Sequence, residues 1–162
     1  MIRTLDPTTD RALVDAFFQT SADYIRMERG EPPGPEVTDE YFTDAPPGCD
    51  PAKSLRQGQF CGPDLIALAE MAFGFPTPAA AYLGLMIVAP AARGTGAGLT
   101  LLRHVEQAAR NQACTHIYLS VLDANPRGHA FWTRHGFAHT GKSGPVTLGR
   151  KSQTAHRLFK PL

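Results

Sequence analysis

The chain has 162 residues and a net charge of +1, so it reads as one domain with no electrostatic case for nucleic acid or an anionic membrane as main partner. An apolar fraction of 43% can bury a core without metal or disulfide staples, and the three cysteines (Cys49, Cys61, Cys114) include no CxxC pair, which argues against a zinc site and for a reduced, cytoplasmic protein. "MIRTLDPTTD" lacks the basic flank and apolar stretch of a signal peptide, and the longest apolar run, "AAAYLGLMIVAPAA", is too short and punctuated to span a bilayer.

Residues 2–6 suit a short first strand. From Thr9 to Gly30, Leu13, Ala16, Phe17, Tyr24 and Met27 recur near period 3.6, which predicts helix with a break near Ser21. Residues 31–52, rich in proline, glycine and acid, read as a long loop with room for one helical turn. "SLRQGQF" and "LIALAEMAFG" flank the turn "CGPD" as a hairpin. "AAYLGLMIV" reads as an apolar strand buried on both faces.

Gly98 to Asn111 is an amphipathic helix. Leu101, Leu102, Val105, Ala108 and Ala109 form its stripe, with Glu106 and Arg110 as an i,i+4 pair on the outer face. "THIYLSVL" alternates like a strand. "NPRGHAFWTRHG" is a short helix with Asn125 as N-cap, Pro126 at the first position and Gly136 past the end. "FAHTG" and "AHRLFKPL" close the chain as a strand pair around the loop "KSGPVTLGRKSQ". Helices interleaved with a mixed sheet make one α/β domain, residues 1–162.

Between strand and helix stands "RGTGAG", Arg93 to Gly98. Free amides at a helix start and the helix dipole form an anion site, glycines admit a phosphate close to the backbone, and Arg93 adds charge. The stretch lacks the lysine of a Walker loop, and Leu99 stands where a dinucleotide fingerprint needs its third glycine. The alternative is a glycine turn that only lets strand meet helix.

The surroundings carry more. "LMIVAPAARGTGAGLTLL" resembles the core motif of the GCN5-related N-acetyltransferases, an apolar strand, V-x-P and [QR]-x-x-G-x-[GA], on Val88, Pro90, Arg93, Gly96 and Gly98. "NPRGHAFWTRHGF" is similar to the family's second motif, through Asn125, Gly128, Phe131, Trp132, Gly136 and Phe137. The resemblance spans about residues 64–137. It implies a mixed, mostly antiparallel sheet flanked by helices, with one strand pair splayed to admit acyl-CoA. It implies acetyl-CoA as cosubstrate without a metal. Gly94, Thr95, Gly96, Ala97 and Gly98 would hold the pyrophosphate with Arg93. Backbone groups of Met86, Ile87 and Val88 would pair with the pantetheine arm, opposite Asn125, and Trp132 joins the same group. Asn125 is equally well placed as a plain helix cap.

The implied reaction is attack of a primary amine on a thioester, without a covalent acyl-enzyme. Most alkylamines are protonated at neutral pH, so the site needs a base, and the developing oxyanion needs a donor, which the resemblance places on the 86–88 backbone. Two positions depart from the family: Trp132 stands where many members carry a tyrosine acid, and Ser120 where some carry a glutamate base. Glu70, Tyr82 and His129 are the remaining candidates. Glu70 sits in the apolar "ALAEMAF", either buried for a task or facing solvent; Tyr82 is a proton donor or packing; His104, His129 and His135 read as surface residues.

An N-acetyltransferase is therefore the first expectation. A non-catalytic acyl-CoA-binding regulatory module and a nucleotide-binding protein stand beside it. Between Arg29 and Lys53 every charge is acidic (Glu31, Glu36, Asp39, Glu40, Asp44, Asp50), which either steers a cationic acceptor or keeps a proline-rich loop soluble. Monomer and homodimer are both left open.

Overall fold

The computed structural model describes the whole chain, Met1–Leu162, as seven strands and five α-helices, with short 3-10 turns at Pro51–Lys53 and Pro90–Ala92. In chain order these are β1 (Ile2–Thr4), α1 (Arg11–Thr20), α2 (Ala22–Arg29), α3 (Pro35–Thr43), β2 (Leu55–Cys61), β3 (Asp64–Phe73), β4 (Ala80–Val88), α4 (Ala97–Asn111), β5 (His116–Leu122), α5 (Pro126–Arg134), β6 (Ala138–Leu148) and β7 (Lys151–Pro161). The expected helix break falls at Ser21, which ends α1 and precedes α2.

Four local expectations need correction. The expected loop over 31–52 contains α3, nine residues with Pro35 in its first turn and Val37, Thr38, Tyr41 and Phe42 buried. That burial spacing is a helix face, hidden in sequence by the prolines on both sides. The strand expected to be buried on both faces is so only near its start: Gly84 is exposed, and Leu85, Met86 and Val88 are half-buried. Glu106 does not lie on the outer face of α4. It is buried, and its carboxylate takes a hydrogen bond from Lys160 Nζ of β7 at 2.5 Å. The loop expected before the last strand is instead the body of the long β6–β7 hairpin, turning at Gly149 and Arg150.

One sheet runs through the molecule in the order β1-β2-β3-β4-β5-β7-β6. Every neighbouring pair is antiparallel except β4–β5. That parallel pair joins only Ala80, Ala81 and Tyr82 to His116, Ile117 and Tyr118. Beyond Tyr82 the two strands part, while β3 and β7 hold them from outside.

The split has a local cause. The β3–β4 register slips between Glu70 and Met71, which face Leu85 and Leu83, so Gly84 is the extra residue of a bulge. The slip reverses the strand's faces. Before it Ala81 and Leu83 belong to the core under α4; after it Ile87 joins the core under α1–α3. Such a bulge bends a strand and redirects the residues beyond it.

The two cores lie on opposite faces of the sheet. One gathers Leu101, Leu102 and Val105 of α4 with Ile117, Leu119, Trp132, Phe137 and Leu158. The other gathers Val14, Phe17, Phe18, Ile25, Val37, Tyr41 and Phe42 over Leu68 and Ile87. Leu101 has no exposed surface, so truncation to alanine costs about 2–5 kcal/mol. The α1–α3 layer matters for function because it roofs the sheet beside the split.

Candidate active site

The strand–loop–helix unit at β4–α4 leaves a row of donors free. Thr100 N–H, bonded to Gly96 O, is the first amide of α4 to find a backbone acceptor; the amides from Gly94 to Leu99 donate to nothing within the chain. Gly94 and Gly96 have φ of +78° and +91°, where a side chain would be strained, and open space surrounds both. Six free amides, an open approach and a helix N-terminus suit a polyanion such as a pyrophosphate. Gly98 serves packing as well: a Cβ there would press against the Phe131 ring at 3.3 Å.

Arg93 does not point its charge into this loop. Its Nε donates to Val88 O at 3.0 Å, and its two terminal nitrogens hold both carboxylate oxygens of Asp23 on α2. The hydrogen bond from Arg93 holds the Asp23 carboxyl below the usual range. The guanidinium fixes the end of β4 against α2, and it also occupies the Val88 carbonyl expected to serve the pantetheine arm. Met86 and Ile87 lie in the parted stretch of β4. Asn125 caps α5 by accepting from Gly128 N–H at 2.9 Å. Trp132 is a core residue, 9% exposed and edge-on to Phe131 and Phe137, so it contributes to the cofactor side only through packing.

On the other face lies a cavity of about 430 Å³ between the sheet and the α1–α3 layer. Glu70, Tyr82, Gly84, Tyr41, Phe75 and Arg157 are among its walls. It therefore reaches Tyr82, the residue after which β4 and β5 part. Of the two readings of Glu70, the structure supports burial. The residue is 8% exposed, its Oε1 has no hydrogen-bond partner, and burial pushes the carboxyl up to about 7. The Ser54 hydroxyl and, less strongly, the Arg56 guanidinium pull the other way, and Arg56 makes no bond to the carboxyl. Arg56 donates instead to the carbonyls of Tyr41, Pro51 and Asp44, tying the end of α3 to the sheet. Gly84 makes the carboxyl's room, since a Cβ there would collide with Glu70 Oε2.

Tyr82 faces the same cavity. Its hydroxyl lies 2.9 Å from Ser120 Oγ across the split, and its ring packs edge-on to Phe75. Ser120, weak as a base, is thus an anchor for the phenol. His129 is exposed on α5 and does not line the cavity. Cys49 donates to Phe73 O, and none of the three cysteines lines the cavity.

Three participants escaped the sequence reading. Gly84 carried a usable signal, a lone glycine in an apolar strand. Arg157 and Arg56 carried none, because an isolated arginine in a strand does not reveal which face or neighbour it has.

Comparison with known proteins bears on the fold and the family. The streptothricin acetyltransferase of Streptomyces lavendulae is 38% identical over 73 residues, 44% of this chain; the chain spans only 38% of that relative's length. An acetyltransferase from Thermus thermophilus has the same fold, with a TM-score of 0.80, 22% identity and coverage of 100% of this chain and 96% of that one. The PaiA N-acetyltransferase of Thermoplasma acidophilum, solved in complex with coenzyme A, has a TM-score of 0.72, 18% identity and coverage of 100% and 98%. The model of the acetyltransferase (GNAT) family matches residues 16–137, which hold strands β2–β5 and helices of both flanking layers, and the chain belongs to that family.

Proposed function

We propose that the protein moves an acetyl group from acetyl-CoA to a primary amine by direct attack on the thioester. The observation that carries this is the buried Glu70 carboxyl, its Oε1 without a hydrogen-bond partner, in a cavity that meets the β4–β5 split. A binding module has no use for a base with its pKa near neutrality at that point.

The residues present fit the cosubstrate. The free amides of Gly94–Leu99 would hold its pyrophosphate, and the unpaired β4 backbone at Met86 and Ile87 would run beside its pantetheine arm. What acetyl-CoA supplies is an acetyl group activated as a thioester. Glu70, ionised above about pH 7, takes the proton from the bound ammonium, directly or through one water. Backbone N–H groups of the parted strand are the donors for the developing oxyanion. Tyr82, held by Ser120, is the proton donor nearest the split for the leaving thiolate, which needs little help because a thiol's pKa is about 8.5.

The acidic region from Glu31 to Asp50 enters this scheme only in part. Asp39 pairs with Arg11, Glu31 with Arg150 and Glu40 with Arg29, while Asp50 accepts from Ala52 N–H. Of the acids of this region, Asp44 is the one on the cavity wall without an ion partner, and it is the residue through which the region would favour a cationic acceptor group.

The test is a thermal-shift panel of acetyl-CoA, coenzyme A, ATP and NAD, followed by thiol release with pooled amines. At 100 times its dissociation constant acetyl-CoA stabilises the fold by about 2.7 kcal/mol, a rise of roughly 5–10 °C for a domain of this size. No shift with any coenzyme A species overturns the cosubstrate. A shift without amine-dependent thiol release leaves the regulatory module as the function.

A further inference from the structure

Two arginines line the acceptor cavity, and their situations differ. Arg29 is neutralised twice over, by Glu28 and Glu40. Arg157 of β7 has no ion pair, and its guanidinium donates no hydrogen bond to any group of the chain. It lies instead over two aromatic faces, 5.4 Å from the Phe75 centroid and 5.7 Å from that of Tyr82. In register it stands opposite Ser120, the residue that anchors the Tyr82 hydroxyl.

A guanidinium lying over two rings, themselves edge-on to one another, is held in place by both while its N–H fork stays open, an arrangement suited to a carboxylate. The charge is not there for the phosphates of the cosubstrate. From Tyr82 to Val88 β4 runs six residues, about 20 Å, before the loop of free amides begins. No carboxylate of the cavity pairs with it: Glu28 and Glu40 are held by Arg29, and Glu70 lies beside Gly84, the next same-face position along β4. Same-face neighbours on a strand stand about 7 Å apart. The cavity thus presents a carboxyl and Asp44 at one part of its wall and an unmatched guanidinium at another.

We propose that the amine acceptor also carries a carboxylate and that Arg157 binds it, so the substrate class is an amino acid rather than a simple amine or polyamine. The ammonium faces Glu70 and Asp44; the carboxylate faces the Arg157 fork. This deepens the acetyltransferase reading and rests on its placing the acceptor in this cavity.

The experiment reads binding without turnover, so that it stands apart from the transfer reaction. The protein saturated with coenzyme A is titrated calorimetrically with ω-amino carboxylates from glycine to 6-aminohexanoate and with their methyl esters. In the wild type the best acid binds about tenfold or more tightly than its own ester, the worth of one charge-assisted pair. Arg157→Gln abolishes that gap while the ester's Kd stays within about twofold, and Arg157→Lys, which keeps the charge but loses the fork, retains part of it. Equal affinity for acid and ester in the wild type overturns the proposal, as does an Arg157→Gln that weakens both alike, the behaviour of a residue that only packs. Failure of every acid to bind overturns it too. Acid selectivity stands even where no acetyl group is transferred, and its absence counts against Arg157 even where transfer is rapid.

Discussion

The Tyr82 hydroxyl and Ser120 Oγ are 2.9 Å apart across the mouth of the β4–β5 split, and Tyr82 is the last residue of β4 that pairs with β5. Main-chain pairing stops and a side-chain bond takes over. The bond holds the phenol at the place where the two strands give way to the ligand.

If Tyr82 donates the proton to the leaving thiolate, Tyr82→Phe lowers kcat by about tenfold, at or below the low end for a general acid because a thiolate leaves readily. KM for acetyl-CoA changes little. Ser120→Ala lowers kcat less, and adding it to Tyr82→Phe has no further effect, since both changes remove one interaction. Steady-state kinetics of the four proteins check this.

Glu70→Gln is expected to lower kcat by about 10²-fold or more and to remove the limb of the pH–rate profile near pH 7. The remaining limb is that of the amine itself, near pH 10. Stability moves the opposite way. The folded carboxyl titrates near 7, above the ~4.3 of a free glutamate, so below about pH 4 both states hold the proton and the group is neutral to folding. As pH rises the unfolded chain ionises first, and the wild type loses about 3 kcal/mol by pH 8. The glutamine variant escapes that loss, so it unfolds at higher denaturant than wild type at pH 8 and at nearly the same denaturant at pH 4.

Gly84→Ala is a sharper test of the same carboxyl. The new methyl meets Glu70 Oε2, while the loop of free amides lies at the far end of β4 and is untouched. Coenzyme A binding should survive and kcat should fall, with the pH limb displaced as the carboxyl is driven elsewhere. Equal losses in coenzyme A affinity and kcat would mean that the bulge as a whole had collapsed.

The parts of this site differ in how legible they were in the sequence, according to what each depends on. The β4–loop–α4 unit was readable because glycine, proline and an apolar helical stripe are local signals. The buried side of Glu70 was not, because the Gly84 bulge decides which way the strand faces and bulges arise from pairing. Helix α3 was missed for a related reason: its prolines and acids read as loop, and only the packing of Tyr41, with its hydroxyl bonded to Ala69 O, makes it a lid on the sheet. Arg93 shows the reverse error, a residue located correctly by its motif whose side chain is bound to Asp23, 70 positions away in sequence.

That pair gives its own expectation. Arg93→Gln and Asp23→Asn each loosen the end of β4, and the double variant costs no more than Arg93→Gln alone. Asp23→Asn stays within about 1 kcal/mol because its side chain is more than half exposed and solvent screens the pair. Coenzyme A affinity should show the same pattern. Additive losses in affinity would show that Arg93 reaches the ligand with its own charge.

The last expectation separates the acids of the 31–52 region, which sequence treats as one block. Asp39 is held by Arg11 at 2.5 Å and is absent from the cavity wall, whereas Asp44 lines the cavity and its carboxylate forms no ion pair, Arg56 reaching only its backbone carbonyl. Both are exposed, so a general field from the region would let either be neutralised with the same result. A local role for Asp44 gives a different one. An exposed carboxylate about 4 Å from an ammonium is worth about 1 kcal/mol, so Asp44→Asn raises KM for the amine by about fivefold and leaves kcat unchanged at pH above the Glu70 limb, which shifts slightly down because the Asp44 charge helps to raise it. Its attraction is screened over about 10 Å at 0.1 M salt, so kcat/KM of the wild type falls as salt is added and that of Asp44→Asn falls less steeply. Asp39→Asn keeps the wild-type slope. Kinetics of the three proteins from low to high salt decide the matter: equal slopes for all three leave the acidic region a solubility feature, and equal changes in both variants return the steering to the region as a whole.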